Sequence, residues 1–191
     1  MSELLGRITR IQVHRRRVQV GTMYWPEVLA SVERGAIDSG GMTGWDGEAW
    51  LLDVHHVAYP MERDGAPRAL SIGFTAHYDL MRERFGDRAA DGVAAENLIV
   101  ETDRRVRLED VAAGLVIQTE NGPQIELAGP AVAKPCRQFT SYLLGLPEMA
   151  LREQIQDELE FLGEGMRGFV MAAPEVAAPV EFAVGDEVWT Q

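Results

Sequence analysis

Apolar and polar positions alternate along this chain mostly with a period of two, in short stretches cut by glycine and proline. Arg7–His14 sets Ile8, Arg10 and Gln12 against Thr9, Ile11 and Val13, and Val18-Gln19-Val20 follows before Gly21, so two short strands are predicted there. Trp25-Pro26 breaks the pattern, and Val28–Glu33 reads as a further strand. The glycine-rich stretch Asp38–Gly47 reads as a loop. Leu51–Tyr59 alternates cleanly, with Leu52, Val54, His56 and Ala58 on one side and Asp53 and His55 on the other. Arg68–Gly73 is a predicted strand, followed by Thr75 as N-cap of a helix that runs to Phe85 and stops at Gly86. Strands are also predicted at Ala95–Glu101, at Leu115–Thr119 and at Gln124–Val132, the last two joined through Asn121-Gly122. Leu151, Ile155, Leu159 and Leu162 recur at three and four, which predicts an amphipathic helix within Pro147–Gly163. Arg167–Met171 and Glu187–Thr190 close the chain as strands, with Gly185-Asp186 as a turn and Ala172–Val180 as a loop. Many short strands and few helices predict a mainly β (α+β) fold, a barrel with a few peripheral helices, in one domain over residues 1–191.

Composition narrows the function. The net charge of −12 argues against a nucleic-acid partner, whose phosphates need tracking cations. The compact basic clusters, Arg15-Arg16-Arg17 and Arg104-Arg105 with Arg107, read as solvated strand ends. No apolar run approaches the ~20 residues a membrane helix needs. A single cysteine forms no internal disulfide, and the opening residues do not read as a secretory signal, so a cytoplasmic location is expected.

That cysteine, Cys136, carries the strongest chemical signal. The only lysine, Lys134, stands two residues before it, and in extended backbone the two side chains leave the same face; Arg137 follows at once. A unit charge about 4 Å away is worth roughly 1–4 kcal/mol, and about 1.36 kcal/mol moves a pKa by one unit. One such cation brings a thiol toward the thiolate, the form that attacks electrophiles, carries sulfur and binds soft metals. The alternative is a small buried apolar residue, and spacing alone leaves both open. Other chemistry is weaker. His55 and His56 point to opposite faces of a strand and do not form a metal pair, and His14 and His77 have no ligand partner nearby in sequence. Ser71, in Ala69-Leu70-Ser71-Ile72-Gly73, lacks the first glycine of a nucleophile elbow.

Lys134-Pro135-Cys136-Arg137, Ala95-Glu96-Asn97-Leu98, Arg167-Gly168 and Val184-Gly185-Asp186-Glu187-Val188 together resemble the MOSC family, domains related to the C-terminal part of molybdenum cofactor sulfurases. The likeness runs from about residue 28 to the C-terminus. Where the family has a Gly-Asp-x-His loop, this chain has Gly44-Trp45-Asp46-Gly47-Glu48, with an added tryptophan and no histidine. The resemblance implies a strand-rich barrel that binds the molybdenum cofactor (molybdopterin), with Cys136 as catalytic residue and metal ligand. It also implies Arg68, Glu96, Asn97, Lys134, Arg137 and Arg167 around the cofactor, the cations at strand ends serving its phosphate. The activity it implies is that of an oxidoreductase reducing N-hydroxylated small molecules, with an electron-transfer protein as partner. Two alternatives stay open: a sulfur-transfer domain carrying a Cys136 persulfide from a sulfur-donor protein, and a non-catalytic binding domain with Cys136 buried.

Overall fold

The structure is a computed structural model describing residues 2–60, 70–120, 122–172 and 176–191. The chain opens with a long strand, β1 (Leu4–His14), and a two-strand ribbon, β2 (Gln19–Val20) and β3 (Met23–Tyr24). Next come β4 (Leu29–Val32), β5 (Arg34–Asp38), β6 (Gly41–Trp45) and β7 (Trp50–Leu52). A strand–helix–strand unit follows: β8 (Leu70–Phe74), α1 (Thr75–Phe85) and β9 (Leu98–Val100). After β10 (Leu115–Gln118) and β11 (Ile125–Val132) stand two short helices, α2 (Arg137–Leu143) and α3 (Gln156–Gly163). Three strands finish the chain: β12 (Phe169–Ala172), β13 (Val180–Ala183) and β14 (Glu187–Thr190).

Seven strands close into a barrel in the order β14-β10-β11-β12-β8-β9-β1, sealed by pairing of β1 with β14. Only β8 and β9 pair in parallel among them, and α1 lies in the crossover between the two. β1 is long enough to serve three partners in turn, β14 at its start, β9 in its middle and β4 at its end. It therefore carries Gln12 and His14 to one end of the barrel, both buried. Alternation fills the interior: Leu115 and Ile117 of β10, Ile125 and Leu127 of β11 and Phe169 of β12 point in, while Glu126 stays in solvent. A second apolar cluster of Tyr24, Tyr78, Met81, Ile99, Phe139, Leu143 and Leu162 packs the helices against the outside of the barrel, and Cys136 leans on it. Among the described residues no helix is long and apolar enough to cross a membrane.

The mainly β barrel with short peripheral helices is the architecture expected from the strand pattern and from the family resemblance. Four local expectations need correction. Asp38–Gly47 holds the turn and the second strand of the hairpin β5–β6, part of a second sheet, β13-β5-β6-β7, instead of a loop. Its glycines answer to packing as well as turning: a Cβ on Gly44 would stand 2.8 Å from the Val13 side chain. Leu51–Tyr59 is a strand only to Leu52, because the Asp53 carboxylate gathers the His55 amide at 2.9 Å and turns the chain. The helix expected within Pro147–Gly163 is confined to α3. Leu151 is 54% exposed and its N–H goes to Gln154 Oε1, so only Ile155, Leu159 and Leu162 form the buried stripe. Thr75 is the first helical residue and not the cap; its hydroxyl accepts from the Thr102 amide at 2.9 Å.

Candidate functional site

Two neighbouring groups of polar residues meet at one end of the barrel. The first centres on Cys136. The chain leaves β11, passes Lys134-Pro135 and enters α2, a helix the sequence pattern did not announce, with Cys136 as its extended N-cap. Its Sγ accepts from the Phe139 amide at 3.4 Å, and its carbonyl takes the Thr140 hydroxyl at 3.0 Å. The thiol is half-buried, in contact with the helical cluster yet open to solvent.

Arg167 reaches this region from the turn before β12. Its guanidinium donates to the carbonyls of Lys134 and Ala94, each at 2.8 Å, and stacks 4.7 Å above the Phe139 ring. Its buried Nε has no partner among the described residues. Gly168 makes this approach fit: at φ +73°, its Cα lies so close to β8 that a Cβ would be 1.8 Å from the Ile72 carbonyl oxygen. Tyr24 shares this neighbourhood. Burial raises its phenol's pKa, opposed by the charge of Arg167 and reinforced by those of Glu96 and Cys136.

Glu96 and Asn97 stand just before β9, both buried. Glu96 Oε2 accepts from the Tyr78 hydroxyl at 2.5 Å, while Oε1 lacks a partner among the described residues. Burial pushes its pKa up to about 7, against the opposing Tyr78 hydrogen bond and the Arg167 charge. Asn97 ties three segments together, since its carbonyl oxygen accepts from the Ser71 amide and hydroxyl while its amide donates to the Gln12 carbonyl and to Asp53 Oδ2.

Asp53 leads to the second group. Its buried carboxylate also takes the His14 amide at 2.8 Å and the His55 ring Nδ1 at 2.9 Å. Burial opposes its ionisation, but the interaction with His14 in its protonated form and the His55 hydrogen bond draw the carboxyl below the ordinary range. Burial lowers the pKa of His14, so its ring is neutral near pH 7. Ala95, held at φ +68°, hydrogen-bonds the ring with its carbonyl. The His14 and His55 rings meet edge-on with centroids 5.2 Å apart. Arg167 is close enough to both groups to be felt by His14 as well as by Tyr24 and Glu96.

The structure thus brings Glu96 and Arg167 to the neighbourhood of Tyr24, which Cys136 shares, while Asn97 turns to Ser71, Gln12 and Asp53. Lys134 is exposed, and its carbonyl is what engages Arg167. Arg137 is half-buried, 3.3 Å from Met149 Sδ, and Arg68 lies outside the described residues. The His14, Asp53 and His55 group escaped sequence reasoning, because the first two are 39 residues apart and only the fold joins them. The usable signal was the Asp-x-His spacing of Asp53 and His55, which an aspartate turn brings to one side. Ser71 sits within β8 with its hydroxyl on Asn97.

The fold is similar to that of solved structures of distant sequence. The YUAD protein from Bacillus subtilis matches over 99% of this chain and 95% of its own, with TM-score 0.57 and 16% identity. YiiM from Escherichia coli matches over 95% of this chain and 68% of its own, with TM-score 0.50 and 14% identity. No protein-family model matches the chain, and no curated protein matches it significantly.

Proposed function

We propose that this chain is a MOSC-type protein that binds the molybdenum cofactor through Cys136 and reduces N-hydroxylated small molecules. The observation that carries this reading is a half-exposed thiol at a barrel end beside a guanidinium whose hydrogen bonds, among the described residues, go to backbone carbonyls. The barrel, shared in fold with YuaD and YiiM, supports the family resemblance of the Pro135-Cys136 and Glu96-Asn97 motifs.

The residues present fit such a group. Cys136 offers one soft sulfur ligand, and Arg167, with its unpartnered Nε, together with Lys134 and Arg137 offers positive charge to a phosphate. Bound there, the cofactor would supply a redox centre able to accept an oxygen atom from the substrate and electrons from a partner protein. The chain's own part is to hold and orient. Arg167 is fixed by two carbonyls and by Phe139, so its charge is placed before any ligand arrives. Glu96, with its pKa near 7, can hold or yield a proton at its carboxyl under working conditions.

The test is protein made in a host that synthesises the cofactor. About one molybdenum per chain in the wild type, lost in Cys136→Ala, is expected; metal-free protein that also takes up no added cofactor removes the reading. The half-exposed thiol also suits a persulfide. Mass spectrometry of Cys136 after incubation with a cysteine desulfurase distinguishes that use.

A further inference from the structure

Three side chains that the proposed chemistry does not need lie together at the same end of the barrel. His14, Asp53 and His55 each place a donor atom within 4.8 Å of the others, and Cys136 is not among them. His14 is 4% exposed, and its Nε2 has no hydrogen-bond partner among the described residues. A buried ring nitrogen left unpaired carries a desolvation cost that a bound ion would repay. With Nε2 unpartnered and the Ala95 carbonyl available to the ring, a proton on Nδ1 leaves the Nε2 lone pair free for a ligand. That is the arrangement by which metal-binding histidines are oriented.

The carboxylate is oriented in the same manner. Asn97 and the His14 amide both donate to Asp53 Oδ2, which leaves Oδ1 to face His55. The His55 side chain is 51% exposed, so the cluster is reached from solvent and one flank is open for water.

We propose that His14, Asp53 and His55 form a site for a divalent first-row transition ion such as zinc, independent of the thiol. Two imidazoles and one carboxylate are the donor set that suits such ions. Metal–ligand bonds near 2.1 Å put tetrahedral donors about 3.4 Å apart. Donors already within 4.8 Å of one another reach that spacing by modest adjustment, in which the exposed His55 side chain is free to take part. The nearby Arg167 works against a second cation, and the Asp53 charge offsets it.

The test uses the full chain stripped with EDTA and titrated with cobalt(II), followed by its visible absorption and by calorimetry. One cobalt per chain, bound equally by the wild type and Cys136→Ser and at least about ten-fold more weakly by a folded His55→Gln, is expected. No binding, binding lost in Cys136→Ser, or binding unchanged in His55→Gln overturns the site. X-ray absorption of the cobalt-loaded wild type is read independently of any variant: imidazole scattering without sulfur supports the site, and sulfur in the coordination shell overturns it. Because the readout involves neither molybdenum nor activity, it is separable from failure of the proposed function.

Discussion

The side-chain amide of Asn97 donates to Asp53 Oδ2 at 2.9 Å across 44 residues of chain, while its carbonyl oxygen accepts from the Ser71 amide at 2.9 Å. One buried side chain thus fixes the start of β9, the strand β8 and the turn that carries His55. Asn97→Ala leaves the Ser71 N–H and one Asp53 oxygen short of a partner, a loss of about 3 kcal/mol or more. Asn97→Asp should cost more still, because it removes the donor and sets a second carboxylate against Asp53. Urea unfolding checks the order wild type, Asn97→Ala, Asn97→Asp; a stable aspartate variant would contradict it.

Cys136 separates chemistry from folding. Its sulfur caps α2 weakly, at 3.4 Å from the Phe139 amide. A serine hydroxyl is a better N-cap acceptor, so Cys136→Ser should melt within about 0.5 kcal/mol of the wild type or slightly above it, while Cys136→Ala loses about 1 kcal/mol. Molybdenum content and activity should vanish in both. If serine unfolds the protein, the thiol is a packing residue and the proposed chemistry goes with it.

The barrel strands were legible because alternation and turn residues are local: β10, β11 and β14 come out close to their predicted limits. Helix α2 was not, since Arg137–Leu143 is seven residues long and half apolar all round, held by Phe139 and Leu143 packing under Tyr24. Glu96, Asn97 and Arg167 were singled out through a motif resemblance, which names residues but not their partners. His14 was not, because its meaning depends on where β1 ends relative to the turn at Asp53. A side-chain hydrogen bond made the difference there: without the Asp53 carboxylate the alternation of Leu51–Tyr59 does describe a strand.

Backbone space next to Arg167 gives a sharper contrast. A Cβ at Gly168 would stand 1.8 Å from the Ile72 carbonyl oxygen, at φ +73°, whereas one at Gly129, φ +60°, meets nothing within 4 Å. Gly129→Ala should therefore cost about 1–2 kcal/mol, the left-handed backbone penalty alone. Gly168→Ala must also push β12 from β8 and should lose on the order of 3–4 kcal/mol. Equal melting temperatures for the two variants would refute the close approach.

The buried Glu96 sets a pH dependence of opposite sign to that of most carboxylates. Its pKa in the folded chain is raised by burial to about 7 from an ordinary 4.5, so between those values the folded state holds a proton that the unfolded state has released. Stability from this group is complete below pH 4.5 and falls as the pH rises, by about 3 kcal/mol in all, levelling off once the folded-state carboxyl ionises. Glu96→Gln removes that slope, so the difference between wild type and variant in urea unfolding isolates it from every other titration. Tyr78 supplies the hydrogen bond that favours the ionised form, and its hydroxyl also accepts from the Ala94 amide at 3.1 Å. Tyr78→Phe should therefore lower stability throughout and carry the decline to a pH above that of the wild type. A wild type whose stability, relative to Glu96→Gln, rises with pH across this window would show that the carboxylate is already ionised in the folded chain.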